Sequence, residues 1–208
     1  SGELDCSYQR LGAAGAAAVA AWLATPTGGG VATLVLVGNS IGDAGAQAIA
    51  AALGARRTPG LKALHVCANS VGVPGAEAIA SALVADGAPR LEELHLWGNS
   101  VGDSGAGALA AAIDGGGTPH LSCLHLASNS IGVAGARAIA AVVATGGAPR
   151  LTRLYLNGNS IGDSGAVALA ATVEAGKTPD LRCMRLAGNS VSGDSRTSPI
   201  INLDGWSC

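Results

Sequence analysis

The chain predicts an α/β solenoid, with parallel strands lining a concave face and helices packed on the convex face. Three observations carry this expectation. Asparagine recurs every 30 residues, at Asn39, Asn69, Asn99, Asn129, Asn159 and Asn189, and each is followed by Ser. Leucine-type residues keep the same interval in three registers. One is Val31, Leu61, Leu91, Leu121, Leu151 and Leu181; another is Leu34, Leu64, Leu94, Leu124, Leu154 and Met184; the third is Leu36, Val66, Leu96, Leu126, Leu156 and Leu186. Within every interval a strand-like LxL segment precedes an alanine-rich run. Self-similarity at a fixed period marks a stack of like units rather than one globule.

The first unit, residues 1–30, is a degraded copy. Leu4 and Cys6 take the strand leucine positions, Gln9 the Asn position, and Leu11, Gly12 and Gly15 the turn. A helix is expected around Ala13–Ala24, carrying Trp22. The later units repeat one plan, for which residues 91–120 serve as the example. LxxLxL alternates apolar and polar residues, so it reads as a short strand with one face inward. Asn99 and a turn containing Gly102 and Gly105 follow. Leu109 and Ile113, four apart among alanines, read as the buried face of a helix. Gly115–Gly117 and then Thr118-Pro119 end it. Strand followed by helix without interruption requires parallel strands joined by right-handed crossovers. Strands about 4.8 Å apart, backed by helices needing roughly 8–10 Å each, bend such a stack into an arc. Small alanines keep that curvature gentle. The buried asparagine amides must have their hydrogen bonds met; six in register predict a ladder to the loop backbone of the same unit and the next.

The pattern LxxLxLxxNxIGDxGAxAIAxAL resembles the leucine-rich repeat of the ribonuclease-inhibitor type, over nearly the whole chain. The resemblance implies a horseshoe-shaped array that binds protein and carries out no chemistry of its own. Array and cap divide at 1–188 and 189–208. A longer period lies beneath the first. Asp43, Asp103 and Asp163 follow the turn glycine in alternate units, and Val73 and Val133 take that place in the others. Each Asp is placed to cap its own helix, and Pro74 presets the first turn of its helix.

Composition narrows the function classes. A net charge of −2 and a pI near 6.0 give no bulk attraction to nucleic acid. Apolar runs are broken by Gly too often for a transmembrane segment, and neither a signal nor a transit pattern is visible. Charged residues make up 12% of the chain, about half the usual share. Outward helix positions such as Ala44, Ala51, Gly107, Ala111, Val167 and Ala171 carry no charge. Either a composition bias fills tolerant positions or the helical face is covered in a larger assembly. Cys67, Cys123 and Cys183 fall on the inner strand face, and Cys6 and Cys208 lie at opposite ends. Cys123 and Cys183 are two strands apart, roughly 10 Å, beyond the ~7 Å a disulfide spans. Free thiols and an intracellular, reducing compartment are therefore expected: the cytoplasm, or an organelle if Ser1 results from processing. An intermolecular bond through Cys208 stays open.

Between the leucines the residues face the concave side, and they differ from unit to unit while the frame repeats. One column reads Asp5, Val35, His65, His95, His125, Tyr155, Arg185; the column before it reads Glu3, Thr33, Ala63, Glu93, Cys123, Arg153, Cys183. Acidic residues begin the wall, and Arg153, Arg182 and Arg185 close it. Glu93, His95, Trp97, His125, Arg153, Tyr155 and Arg185 are the expected partner-binding group, because buried aromatic and Arg anchors dominate binding energy. His65, His95 and His125 are weak candidates for a metal, with Cys123 or Cys67 as third ligand; a flat row does not make a tetrahedral cage, so no metal or other cofactor is assigned. Crowded imidazoles are also a pH-sensing pattern. Cys123 beside His125 or His95 lacks a cleft and an oxyanion hole, so no enzyme is read. GNSIGDxG recurs as a corner and is a structural turn rather than a phosphate loop.

The ends differ from the units. Pro199 breaks any helix near the C-terminus, and Ile200, Ile201, Leu203 and Trp206 are expected to fold back as an irregular cap. The first strand has an unprotected edge, so either further chain precedes it or a partner covers it. The leading reading is a protein-interaction scaffold using the concave wall. The alternatives are a structural subunit of a multiprotein assembly, held by its alanine-rich helices, and a metal- or pH-responsive module using the His row.

Overall fold

The computed structural model describes residues 2–174, 180–191 and 200–202. Seven parallel strands form one open sheet in chain order: β1 (Glu3–Asp5), β2 (Thr33–Val35), β3 (Ala63–His65), β4 (Glu93–His95), β5 (Cys123–His125), β6 (Arg153–Tyr155) and β7 (Cys183–Arg185). Each of the first six is followed by a helix: α1 (Gly12–Leu23), α2 (Gly42–Gly54), α3 (Val73–Val84), α4 (Gly102–Asp114), α5 (Val133–Thr145) and α6 (Gly162–Glu174). The register advances by 30 residues at every pairing, as in Leu34 opposite Leu64 and Leu64 opposite Leu94. An eighth strand, β8 (Ile200–Asn202), folds back antiparallel onto β7. The other residues of the expected cap, including Pro199, Leu203, Trp206 and Cys208, lie outside the described residues.

The three leucine columns are buried, none of their members above 5% exposed. They meet Ile49, Ile79, Leu109, Ile139 and Leu169 from the helices and Ile41, Val71, Val101, Ile131 and Ile161 from the turns, in one continuous core. Each unit's apolar face is thus covered chiefly by its neighbours, which is why no unit stands alone.

The alanine and glycine content has a packing cause. A Cβ on Gly45, Gly75, Gly105, Gly135 or Gly165 would lie 2.9–3.1 Å from the Cβ of Ala16, Ala46, Ala76, Ala106 or Ala136 of the preceding helix. Larger side chains in this column would push successive helices apart. The outward positions are a separate matter: Ala44, Ala51, Ala111 and Ala171 are exposed, and Val167 is 59% exposed.

The asparagine amides form a regular hydrogen-bonded ladder, directed toward the preceding unit rather than the next. Asn69 Oδ1 accepts the backbone N–H of Asn39 (2.9 Å) and Ile41 (3.3 Å), and its Nδ2 donates to the carbonyls of Leu36 (2.7 Å) and Cys67 (2.9 Å). Asn99, Asn129, Asn159 and Asn189 repeat this pattern. The direction follows from strand order: the side chain leaves its corner beneath the loop of the unit before.

The aspartates also act between units. Asp43 Oδ1 accepts the N–H of Gly72 (2.7 Å) and Gly75 (3.0 Å), at the start of α3. Asp103 does the same for Gly132 (2.7 Å) and Gly135 (2.8 Å), at the start of α5. The expectation that these aspartates cap their own helices is corrected for Asp43 and Asp103: each caps the following helix, whose capping residue is a glycine without a side chain to do so. This division of labour accounts for the two-unit period.

Candidate functional site

The concave wall is built by strand register. Asp5, Val35, His65, His95, His125, Tyr155 and Arg185 stand side by side across β1–β7. From His65 onward the column is a continuous file of rings. Centroids lie 4.3 Å apart for His65–His95, 5.4 Å for His95–His125 and 4.7 Å for His125–Tyr155. The Arg185 guanidinium lies 5.7 Å from the centre of the Tyr155 ring. Trp97, 38% exposed, sits 6.4 Å from His125. All seven residues expected to contact a partner therefore fall in one patch.

Glu93 is the hub of that patch. Its Oε1 accepts from Arg153 Nη2 at 2.9 Å, although the two residues lie two strands apart. The pair bridges over Cys123, which stands between them in register and is fully buried. Glu93 Oε2 lies 3.4 Å from His95 Nε2 and 3.8 Å from His65 Nε2. Both nitrogens are buried without a hydrogen-bond partner. At these separations neither contact is a formed hydrogen bond.

Burial decides the chemistry of the wall. It pushes the Cys123 thiol up to about 11 and the Cys67 thiol up to about 12. At neutral pH both are held as thiols. Burial, with His95 and Arg185 nearby, pushes His125 down to about 4. His95 is lowered in the same direction by burial and then by His65. His125 is therefore neutral in the physiological range.

Exposure varies along the wall: Ala63, Cys67, Cys123, Ala127 and Cys183 are buried. One expectation changes: the cysteines are not all free. Cys6, Cys67 and Cys123 are free, but Cys183 is disulfide-bonded.

Sequence reasoning missed the tie between Glu93 and His65, which sits outside the expected partner-binding group. The available signal was the i, i+2 spacing of Glu93 and His95, which puts both on one strand face beside His65. Tyr8, 71% exposed, was not singled out; its ring lies against Gly38. Among the described residues no helix is long and apolar enough to cross a membrane.

Residues 32–50, 89–110, 118–140 and 149–170 match a family model described as Leucine Rich repeat. No curated protein matches the chain. Among solved structures, an internalin from Listeria monocytogenes is similar, at 15% identity and a TM-score of 0.40, over 86% of this chain and 54% of that one. This chain thus spans about half the length of that protein. Repeat matches and sheet topology together define the fold as a leucine-rich-repeat solenoid.

Proposed function

We propose that this leucine-rich-repeat solenoid is a non-enzymatic module that binds a protein partner on its concave wall. The observation that carries the reading is the contiguous patch from His65 to Arg185, with Trp97 standing exposed beside it. A repeated frame that presents unlike side chains is suited to selective recognition. Trp and Arg are the residue types that supply most interface energy. The whole-α-helix crossovers of 12–13 residues support the ribonuclease-inhibitor subtype.

Affinity purification followed by mass spectrometry, run in parallel on wild type, Trp97→Ala and Arg185→Glu, tests the reading. A partner recovered with wild type and lost with both variants supports it, provided circular dichroism shows each variant folded. A truncated hot-spot residue weakens binding by about 30-fold or more. Full retention of every partner in both variants overturns the concave wall as the contact and transfers it to the exposed alanine-rich helical face.

A further inference from the structure

We propose that His65, Glu93 and His95 form a binding site for a divalent transition ion of the zinc class. This stands independently of the partner reading. A nitrogen from each histidine and an oxygen from Glu93 all lie within 4.8 Å of one another. Among the described residues, this is the set of His, Cys, Asp and Glu that meets that condition. The geometry is a triangle rather than a row. His95 and Glu93 project from one face of β4, two residues apart, and His65 is the register neighbour of His95 on β3. Ala63, the register neighbour of Glu93, is small and leaves the carboxylate room on that side.

The spacing fits ligands around an ion better than it fits a hydrogen-bonded trio. Tetrahedral coordination with bonds of about 2.0–2.1 Å separates ligand atoms by about 3.3–3.4 Å. The Glu93 oxygen is 3.4 Å from the His95 Nε2 and 3.8 Å from the His65 Nε2, close to that separation, and the two histidine nitrogens lie within 4.8 Å of each other, so the trio closes around an ion by side-chain adjustment alone. A buried nitrogen without a partner is costly, and here there are two, both facing the same carboxylate oxygen. An ion at their centre satisfies both nitrogens at once. Arg153 holds the other oxygen at 2.9 Å and so aims the free one, as outer partners of ligating carboxylates do. Two imidazoles and one carboxylate select zinc-class ions over calcium or magnesium, which take oxygen ligands. Water completes the coordination from the concave side. His125 and the thiols of Cys67 and Cys123 stay outside the set, which replaces the cysteine third ligand expected from sequence with Glu93.

The test is calorimetric titration of the metal-stripped full chain with Zn²⁺, and with Co²⁺ as a spectroscopic probe. The expected result is one equivalent bound, with affinity falling more than about 100-fold in His65→Ala, Glu93→Gln and His95→Ala, beyond the 10–100-fold typical of an outer partner. His120→Ala, away from the wall, is expected to bind as wild type does. The Co²⁺ spectrum of wild type reads the ligand set without any substitution, and no thiolate charge-transfer band is expected. Absence of stoichiometric binding to wild type, wild-type affinity retained in the three ligand variants, or a thiolate band would each overturn the site.

Discussion

Asn69→Ala tests the ladder that joins the units. The wild-type amide is fully buried and makes four hydrogen bonds. Its loss does not orphan four groups. The Cys67 carbonyl keeps the N–H of Gly38 at 3.0 Å, and the Leu36 carbonyl keeps Asn39 Nδ2 at 2.9 Å. The N–H groups of Asn39 and Ile41 have no such second partner. Two orphaned buried donors at about 1–3 kcal/mol each predict a cost of about 2–6 kcal/mol. Gln9 is the internal control. It occupies the same register in the first unit but is exposed, and its side chain bonds only to Ser7 within its own unit, so Gln9→Ala is expected to stay within about 0.5 kcal/mol. Urea titration followed by circular dichroism gives both values from the shift in midpoint, valid while the slope is unchanged. The double variant Asn39→Ala, Asn69→Ala removes both amides from Leu36, so its cost should exceed the sum of the single costs. Equal costs for Asn69→Ala and Gln9→Ala would refute the claim that the ladder holds the stack.

Further outcomes follow from the same structure. Gly105→Ala places a methyl 2.9 Å from Ala76 Cβ and is expected to destabilise by about 1–3 kcal/mol through overpacking. Gly107→Ala has nothing within 4 Å and is expected to stabilise by roughly 0.5–1 kcal/mol through helix propensity; thermal melting separates the two. Asp103→Ala removes the acceptor for Gly132 and Gly135 and should cost about 1 kcal/mol, with hydrogen exchange increasing at the start of α5 rather than of α4. His125 is held near 4 against an ordinary 6.5, so the unfolded chain takes up its proton first as the pH falls. Stability is therefore full above about pH 6.5 and declines toward pH 4, by on the order of 1–2 kcal/mol once solvent screening is allowed for. That component should vanish in His125→Gln, measured by urea titration across this range with a chelator present.

The period of the asparagines and leucines determined the strand–helix alternation, the parallel order and the 30-residue register. It did so because a side chain's face follows from its position along a strand or helix, and repeated units make that position readable. The wall column from Asp5 to Arg185 was legible for the same reason. Tertiary structure alone decided where long side chains end. Glu93 reaches Arg153 across a whole strand and buries Cys123 beneath the pair, and Asp43 and Asp103 cross to the next helix. It alone showed that Cys183 is disulfide-bonded and that β8 returns against the direction of the repeat. A repeat specifies backbone placement; the tips of flexible side chains and a tail without periodicity take their positions from whatever neighbours the completed stack puts within reach.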